Sequence, residues 1–163
     1  MATEGTTRDP LATVYALCEE ETDAIVIRCA DPRFRRAFDD FVSDLGIRNP
    51  ATIAVTGCIK SFGLQAYIPK EWHALRKQLE LIATRHTHVE RVVLLTHEDC
   101  QSYKASAHLL GGLTQVLAQQ RAHLLGLAHY LREKYLPDAA FEPYHARLVA
   151  GGVQFERIRQ DSS

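Results

Sequence analysis

Two short stretches carry the residues best suited to chemistry: Cys29-Ala30-Asp31-Pro32-Arg33 and His97-Glu98-Asp99-Cys100. Cys29 ends one apolar run and His97 begins just beyond another, so in a parallel sheet both come to the carboxyl edge, where open α/β folds place their sites. Two thiolates and one imidazole could converge there. Three protein ligands with a fourth position left for water is the pattern of a catalytic Zn²⁺ site, and soft sulfur with nitrogen suits zinc. Zinc held in this way lowers the pKa of a bound water to ~7, which makes hydroxide available at neutral pH.

The flanking sequence supplies elements that could position these groups. Ala24-Ile25-Val26-Ile27 is a continuous apolar run rich in β-branched residues, the pattern of a strand covered on both faces, and it ends at Cys29. Pro32 suits the first turn of a helix whose Ala37, Phe38, Phe41, Val42 and Leu45 form an apolar stripe, with Gly46 as its C-terminal cap. Residues 52–56 read as a second buried strand. The loop that follows, from Gly57 to Gly63, faces the same edge as Cys29. Pro69 opens another helix with Trp72, Leu75, Leu79 and Ile82 on one face. Residues 91–96 form the third strand, with His97 and Cys100 directly after it.

Strand, loop and helix in repeated order imply right-handed crossovers and a parallel sheet. From 105 to 136 the apolar positions keep helical spacing, but one rod of that length would span ~50 Å at about 1.5 Å per residue. A break is expected near Gly111-Gly112 or Gly126. Pro137 stops the helical region, residues 147–150 are the expected fourth strand, and Gly151-Gly152 permits a bulge or turn. Val153, Phe155 and Arg157 then alternate with Gln154 and Glu156, as in an edge strand with one face toward water. The fold class expected is α/β, a mostly parallel sheet of four to five strands flanked by helices. Upstream, residues 1–8 read as a disordered tail. Asp9-Pro10 caps a short helix to about Glu20, with Leu11, Val14, Tyr15 and Cys18 at helical spacing and Cys18 buried.

At 163 residues the chain fits one domain, 1–163, with a single sizeable core. A net charge of -1 with interspersed signs argues against nucleic acid and anionic membrane as partners. Four cysteines without a secretory leader indicate a reducing, cytoplasmic compartment rather than a disulfide framework. The most apolar region, 109–136, is interrupted by Gln115, Gln119, Gln120, Arg121 and His123, so no stretch reads as a membrane span.

Cys-x-Asp-x-Arg at the end of a first buried strand and His-x-x-Cys at the end of a later one resemble the β-class carbonic anhydrases, and the likeness extends to element order from about Ala24 to Ile158. The resemblance implies Zn²⁺ held by Cys29, His97 and Cys100, with Asp31 and Arg33 as a dyad beside it. It implies reversible hydration of CO₂ to bicarbonate and a homodimer. In such a site Arg33 holds Asp31 ionised and oriented, and the carboxylate accepts a proton from the metal-bound nucleophile. Asp31 could also ligate zinc and close the site. Two further readings remain open: hydrolysis of COS or CS₂ at the same zinc, and a non-catalytic zinc-binding protein. The chain departs from the family pattern at Glu98-Asp99 and at Gln101-Ser102-Tyr103, and Thr56-Gly57-Cys58-Ile59-Lys60 replaces the family's loop after the second strand.

Other chemical side chains have plainer readings. Asp31 before Pro32 could be an ordinary N-cap. Cys58 could complete a closed Cys₃His site or be a small buried side chain. Glu98 and Asp99 lie near the ligands without an assigned role, and Tyr103 either orients substrate or packs. His86 and His88 read as solvated, His108, His123 and His129 as helix-surface or core residues, and Lys60 as a surface lysine.

Overall fold

The computed structural model describes residues 11–159, and the expected tail 1–8 and the Asp9-Pro10 cap lie outside them. The described elements are β1 (Ala24–Cys29), α1 (Arg35–Asp44), β2 (Pro50–Val55), the one-turn α2 (Lys60–Gly63), α3 (Pro69–Arg85), β3 (Arg91–His97) and α4 (Gln101–Ala105). Two 3₁₀ turns (Ala107–Leu109 and Leu113–Gln115) lead to α5 (Val116–Lys134), β4 (Ala140–Val149) and β5 (Gly152–Arg157). The strands form one sheet in the order β2-β1-β3-β4-β5. The first four are parallel and β5 returns antiparallel to β4, the mostly parallel α/β sheet expected.

Helices cover both faces. Successive strand residues point to opposite sides, so Tyr144, which meets Phe41 of α1, and Phe141, which lies under Arg132 of α5, mark the two faces of β4. On the α1 side Phe41 stacks flat on Phe155 at 3.9 Å between ring centres. On the other side α5 lies against β3 and β4 and α3 against β2, with Trp72 meeting Phe62 and Tyr130 edge to face between them. The central strands are buried almost throughout, and their β-branched and leucine residues form the core. Gly126 lies inside α5, where a side chain would approach Phe62 to 2.9 Å, and the expected break falls at Gly111 and Gly112, both at positive φ.

Three expectations need correction. Residues 12–18 form no helix; Val14, Tyr15 and Leu17 are exposed, and so is Cys18. A helix this short is marginal unless its apolar face is buried, and Val14, Tyr15 and Leu17 are exposed. β4 begins at Ala140 rather than near Arg147. Its first half, Ala-Phe-Glu-Pro-Tyr-His, has no aliphatic run, and Pro143 is tolerated where the β5 ladder ends: its carbonyl accepts the Ile158 N–H at 2.9 Å with no return bond possible. Within the expected loop 57–63, residues 60–63 close one helical turn.

Candidate metal centre

Parallel pairing of β1 with β3 sets Arg28 opposite Leu95, so Cys29 and His97 end adjacent strands at one edge. Asp99, at φ 59° in the left-handed region, turns the chain so that Cys100 comes back as the residue before α4. The Sγ atoms of Cys29 and Cys100 and a ring nitrogen of His97 lie within 4.8 Å of one another, and all three residues are buried. Among the described residues this is the one such group of metal-ligating atoms.

The orientation of His97 is decided by its neighbour. Its Nδ1 lies 2.8 Å from the Glu98 carbonyl, which can only accept, so the proton is on Nδ1 and the lone pair on Nε2. Nε2 is buried and has no hydrogen-bond partner. A buried imidazole nitrogen left unpaired costs about 1–3 kcal/mol unless something else satisfies it. Two sulfurs and one bare nitrogen facing a common point fit a thiophilic divalent cation with one position to spare.

A hydrogen bond links the two thiols. The Cys100 thiol donates to Cys29 Sγ, and this bond draws Cys29 well below the ordinary thiol range against the cost of desolvation, with help from the Asp31 backbone N–H. The same bond, followed by burial, pushes Cys100 upward, while the N–H groups of Tyr103 and Ser102 oppose the rise. A cation replacing that proton would take both sulfurs as thiolates.

Beside this pair, Asp31 and Arg33 are joined at two places. Arg33 Nη2 and Nε donate to Asp31 Oδ2 at 2.7 and 3.2 Å, and Nε also lies 3.1 Å from Oδ1. The Arg33 backbone N–H donates to Oδ1 at 3.0 Å. Asp31 therefore both caps the turn after β1 and pairs with the guanidinium, which holds its carboxyl below the usual carboxylate range. The helix starts three residues after Pro32. Asp31 Oδ2 is 3.9 Å from His97 Nε2.

Phe34 and Gln120 were not visible as contributors in the sequence, and Glu98 and Asp99 had no role assigned there. Phe34, fully buried at the start of α1, lays its ring against His97 at 4.1 Å between centres. Gln120 Nε2 donates to the His97 carbonyl at 3.1 Å from a buried position on α5. Its signal was a polar residue in register with Leu124 and Leu127 on a buried stripe. Glu98 turns away from the cluster and accepts the Leu148 N–H at 2.8 Å, tying the β4–β5 hairpin to the site loop. Asp99 accepts from Arg33 Nη1 at 2.8 Å and also pairs with Lys104. An open cavity of about 360 Å³ reaches the cluster, lined in part by Asp31, Arg33, Gly57, Cys100, Gln101 and Ser102.

The remaining candidates lie elsewhere. Cys58 is buried but not within the ligand group, and desolvation, then the Cys29 charge, raises its thiol well above the ordinary range. Tyr103 is fully buried, with its hydroxyl 3.0 Å from Nδ1 of buried His123. Lys60 donates to Ser106 Oγ at 3.3 Å. His88 lies 3.2 Å from the Thr22 carbonyl, His129 faces Glu133 across 3.3 Å, and His108 is exposed.

No family model and no curated protein matches the chain. Solved structures similar to it include a β-carbonic anhydrase of the fungal pathogen Aspergillus fumigatus, 14% identical with a TM-score of 0.47, covering 86% of this chain and 77% of that one. A tetrameric β-carbonic anhydrase of Sordaria macrospora is 11% identical, with a TM-score of 0.48 over 87% of this chain and 83% of that one. One from Trichomonas vaginalis is 13% identical, with a TM-score of 0.45 over 88% and 87%. No helix among the described residues is long and apolar enough to cross a membrane.

Proposed function

We propose that Cys29, His97 and Cys100 hold Zn²⁺ and that the protein is a zinc lyase interconverting CO₂ and bicarbonate, in the manner of the β-class carbonic anhydrases whose paired motifs it resembles. The observation that carries this reading is the unpartnered, buried His97 Nε2 facing two cysteine sulfurs beside an arginine-held carboxylate. Zinc at such a centre supplies a water of pKa about 7 as a nucleophile at neutral pH. The Glu98 carbonyl fixes the His97 tautomer, Gln120 anchors its backbone and Phe34 packs on its ring, so the imidazole is preset to ligate. Arg33 keeps Asp31 ionised with Oδ2 toward the cluster, where it would accept a hydrogen bond from the attacking group and orient its lone pair. The cavity between the loops after β1 and β2 gives a small neutral substrate access.

Stopped-flow CO₂ hydration across about pH 6 to 9 on protein of measured zinc content tests this. Zinc-dependent turnover that is lost in Cys100→Ser is the expected result. Fully zinc-loaded protein that stays inactive over the whole range would overturn the CO₂ assignment, and turnover of COS or CS₂ by the same protein would reassign the substrate. We further infer a cytoplasmic homodimer, with the exposed Val14, Tyr15 and Leu17 and the edge strand β5 as its candidate contact surfaces.

A further inference from the structure

Arg33 is held by two carboxylates, and the second comes from the other half of the site. Asp31 belongs to the loop that follows Cys29, whereas Asp99 lies between His97 and Cys100, 66 residues away. Arg33 Nη1 donates to Asp99 Oδ2 at 2.8 Å and Nη2 to the Asp99 carbonyl at 3.1 Å, so all three guanidinium nitrogens are engaged. Asp99 is in turn paired with Lys104 of α4, and its backbone is in the left-handed region that few side chains adopt.

We propose that Asp99, pinned by Lys104, is a positioning residue that keeps Arg33 clamped on Asp31 and thereby keeps Asp31 out of the fourth metal position. This rests on the zinc reading above. The Arg33 side chain is 48% exposed. Solvent screens an ion pair so exposed, and the pair alone does not fix a long side chain in one orientation. The two acceptors of Asp99 supply the missing constraint and also tie together the two loops that carry the ligands. Asp31 needs such restraint because Oδ2 is already 3.9 Å from His97 Nε2, close to where a cation held by that nitrogen would sit. Freed from Arg33, its carboxylate can turn onto the metal as a fourth protein ligand, and a site with four protein ligands is closed.

Co²⁺-substituted full-length protein, titrated with thiocyanate and followed by its visible spectrum, tests the assignment without any activity measurement. Asp99→Gly removes the carboxylate while preserving the left-handed turn. The wild type should respond to thiocyanate, Asp99→Gly should need at least about tenfold more anion, and Asp99→Gly with Asp31→Ala should recover the response. Lys104→Met should shift the titration in the same direction by a smaller factor, and it covers the case in which the glycine variant fails to fold. Asp99→Gly titrating within about twofold of wild type, or a double variant that stays unresponsive, would overturn the role of Asp99 while leaving the zinc centre intact. Wild-type protein that takes up no Co²⁺ or Zn²⁺ would instead overturn the zinc reading itself.

Discussion

Asp31 Oδ2 stands 3.9 Å from His97 Nε2, while the same oxygen accepts from Arg33 at 2.7 Å. A carboxylate so placed is the partner of a guanidinium on one side and a near neighbour of a bare imidazole nitrogen on the other. Arg33→Ala should therefore cost more than a surface charge does. Its kcat/KM for CO₂ hydration should fall about 10- to 100-fold, with zinc content unchanged. Stopped-flow rates paired with metal analysis check both halves of this expectation.

The three proposed ligands should act as a unit. Cys29→Ser, Cys100→Ser and His97→Gln should each abolish stoichiometric zinc retention after dialysis. Metal bound only by the folded chain stabilises it by mass action, about 4 kcal/mol when free zinc is a thousandfold above the dissociation constant. For a chain of this size that is an increase in Tm of roughly 8–16 °C. Calorimetry with zinc and with a chelator measures it, and the three variants should show no such difference.

Glu142 links stability to pH. Its carboxylate is held below the ordinary range first by Arg91, which donates at 2.7 and 3.2 Å, and also by the Tyr144 hydroxyl at 3.0 Å. A carboxyl whose folded pKa is depressed contributes stability that is present above its unfolded pKa and lost as pH falls through the folded one. Glu142→Gln should thus be less stable than wild type by about 1–3 kcal/mol at pH 7. The gap should narrow as pH drops below about 4.5, the carboxyl's ordinary value. Urea denaturation at several pH values reads the difference directly.

Packing between α2 and α5 depends on Gly63. A Cβ at this position would fall on the His123 ring, whose Nδ1 meets the buried Tyr103 hydroxyl. Gly63→Ala should cost about 1–3 kcal/mol through displacement of that ring. Gly152, in β5, has nothing within 4 Å of its would-be Cβ, and Gly152→Ala should change stability by less than about 0.5 kcal/mol. Thermal melts of the two variants separate the cases.

What was legible in the sequence follows the range of the interactions involved. Cys29, His97 and Cys100 could be paired because strand ends in a parallel sheet share an edge, and a buried β-branched run announces such an end. The break at Gly111 and Gly112 was legible for a similar reason: a rod of that length does not fit the domain. The clamp between Arg33 and Asp99 was not, since it depends on the rotamer of a long side chain reaching across two loops. Gln120 was hidden because a lone glutamine among leucines looks like an interruption of the apolar stripe, whereas it donates to the His97 carbonyl at the site. The helix expected near Val14 failed on energetics. Its apolar spacing is real, but spacing alone does not provide a surface to bury against. Glu98 sat between ligands in sequence, yet its side chain serves the hairpin of β4 and β5.

Zinc K-edge X-ray absorption on the zinc-loaded full-length chain tests the centre most directly. We expect two sulfur scatterers at about 2.3 Å and two nitrogen or oxygen scatterers at about 2.0–2.1 Å. A three-sulfur shell, which would mean that Cys58 closes the site, or a chain that retains no zinc, would contradict an open Cys29–His97–Cys100 centre.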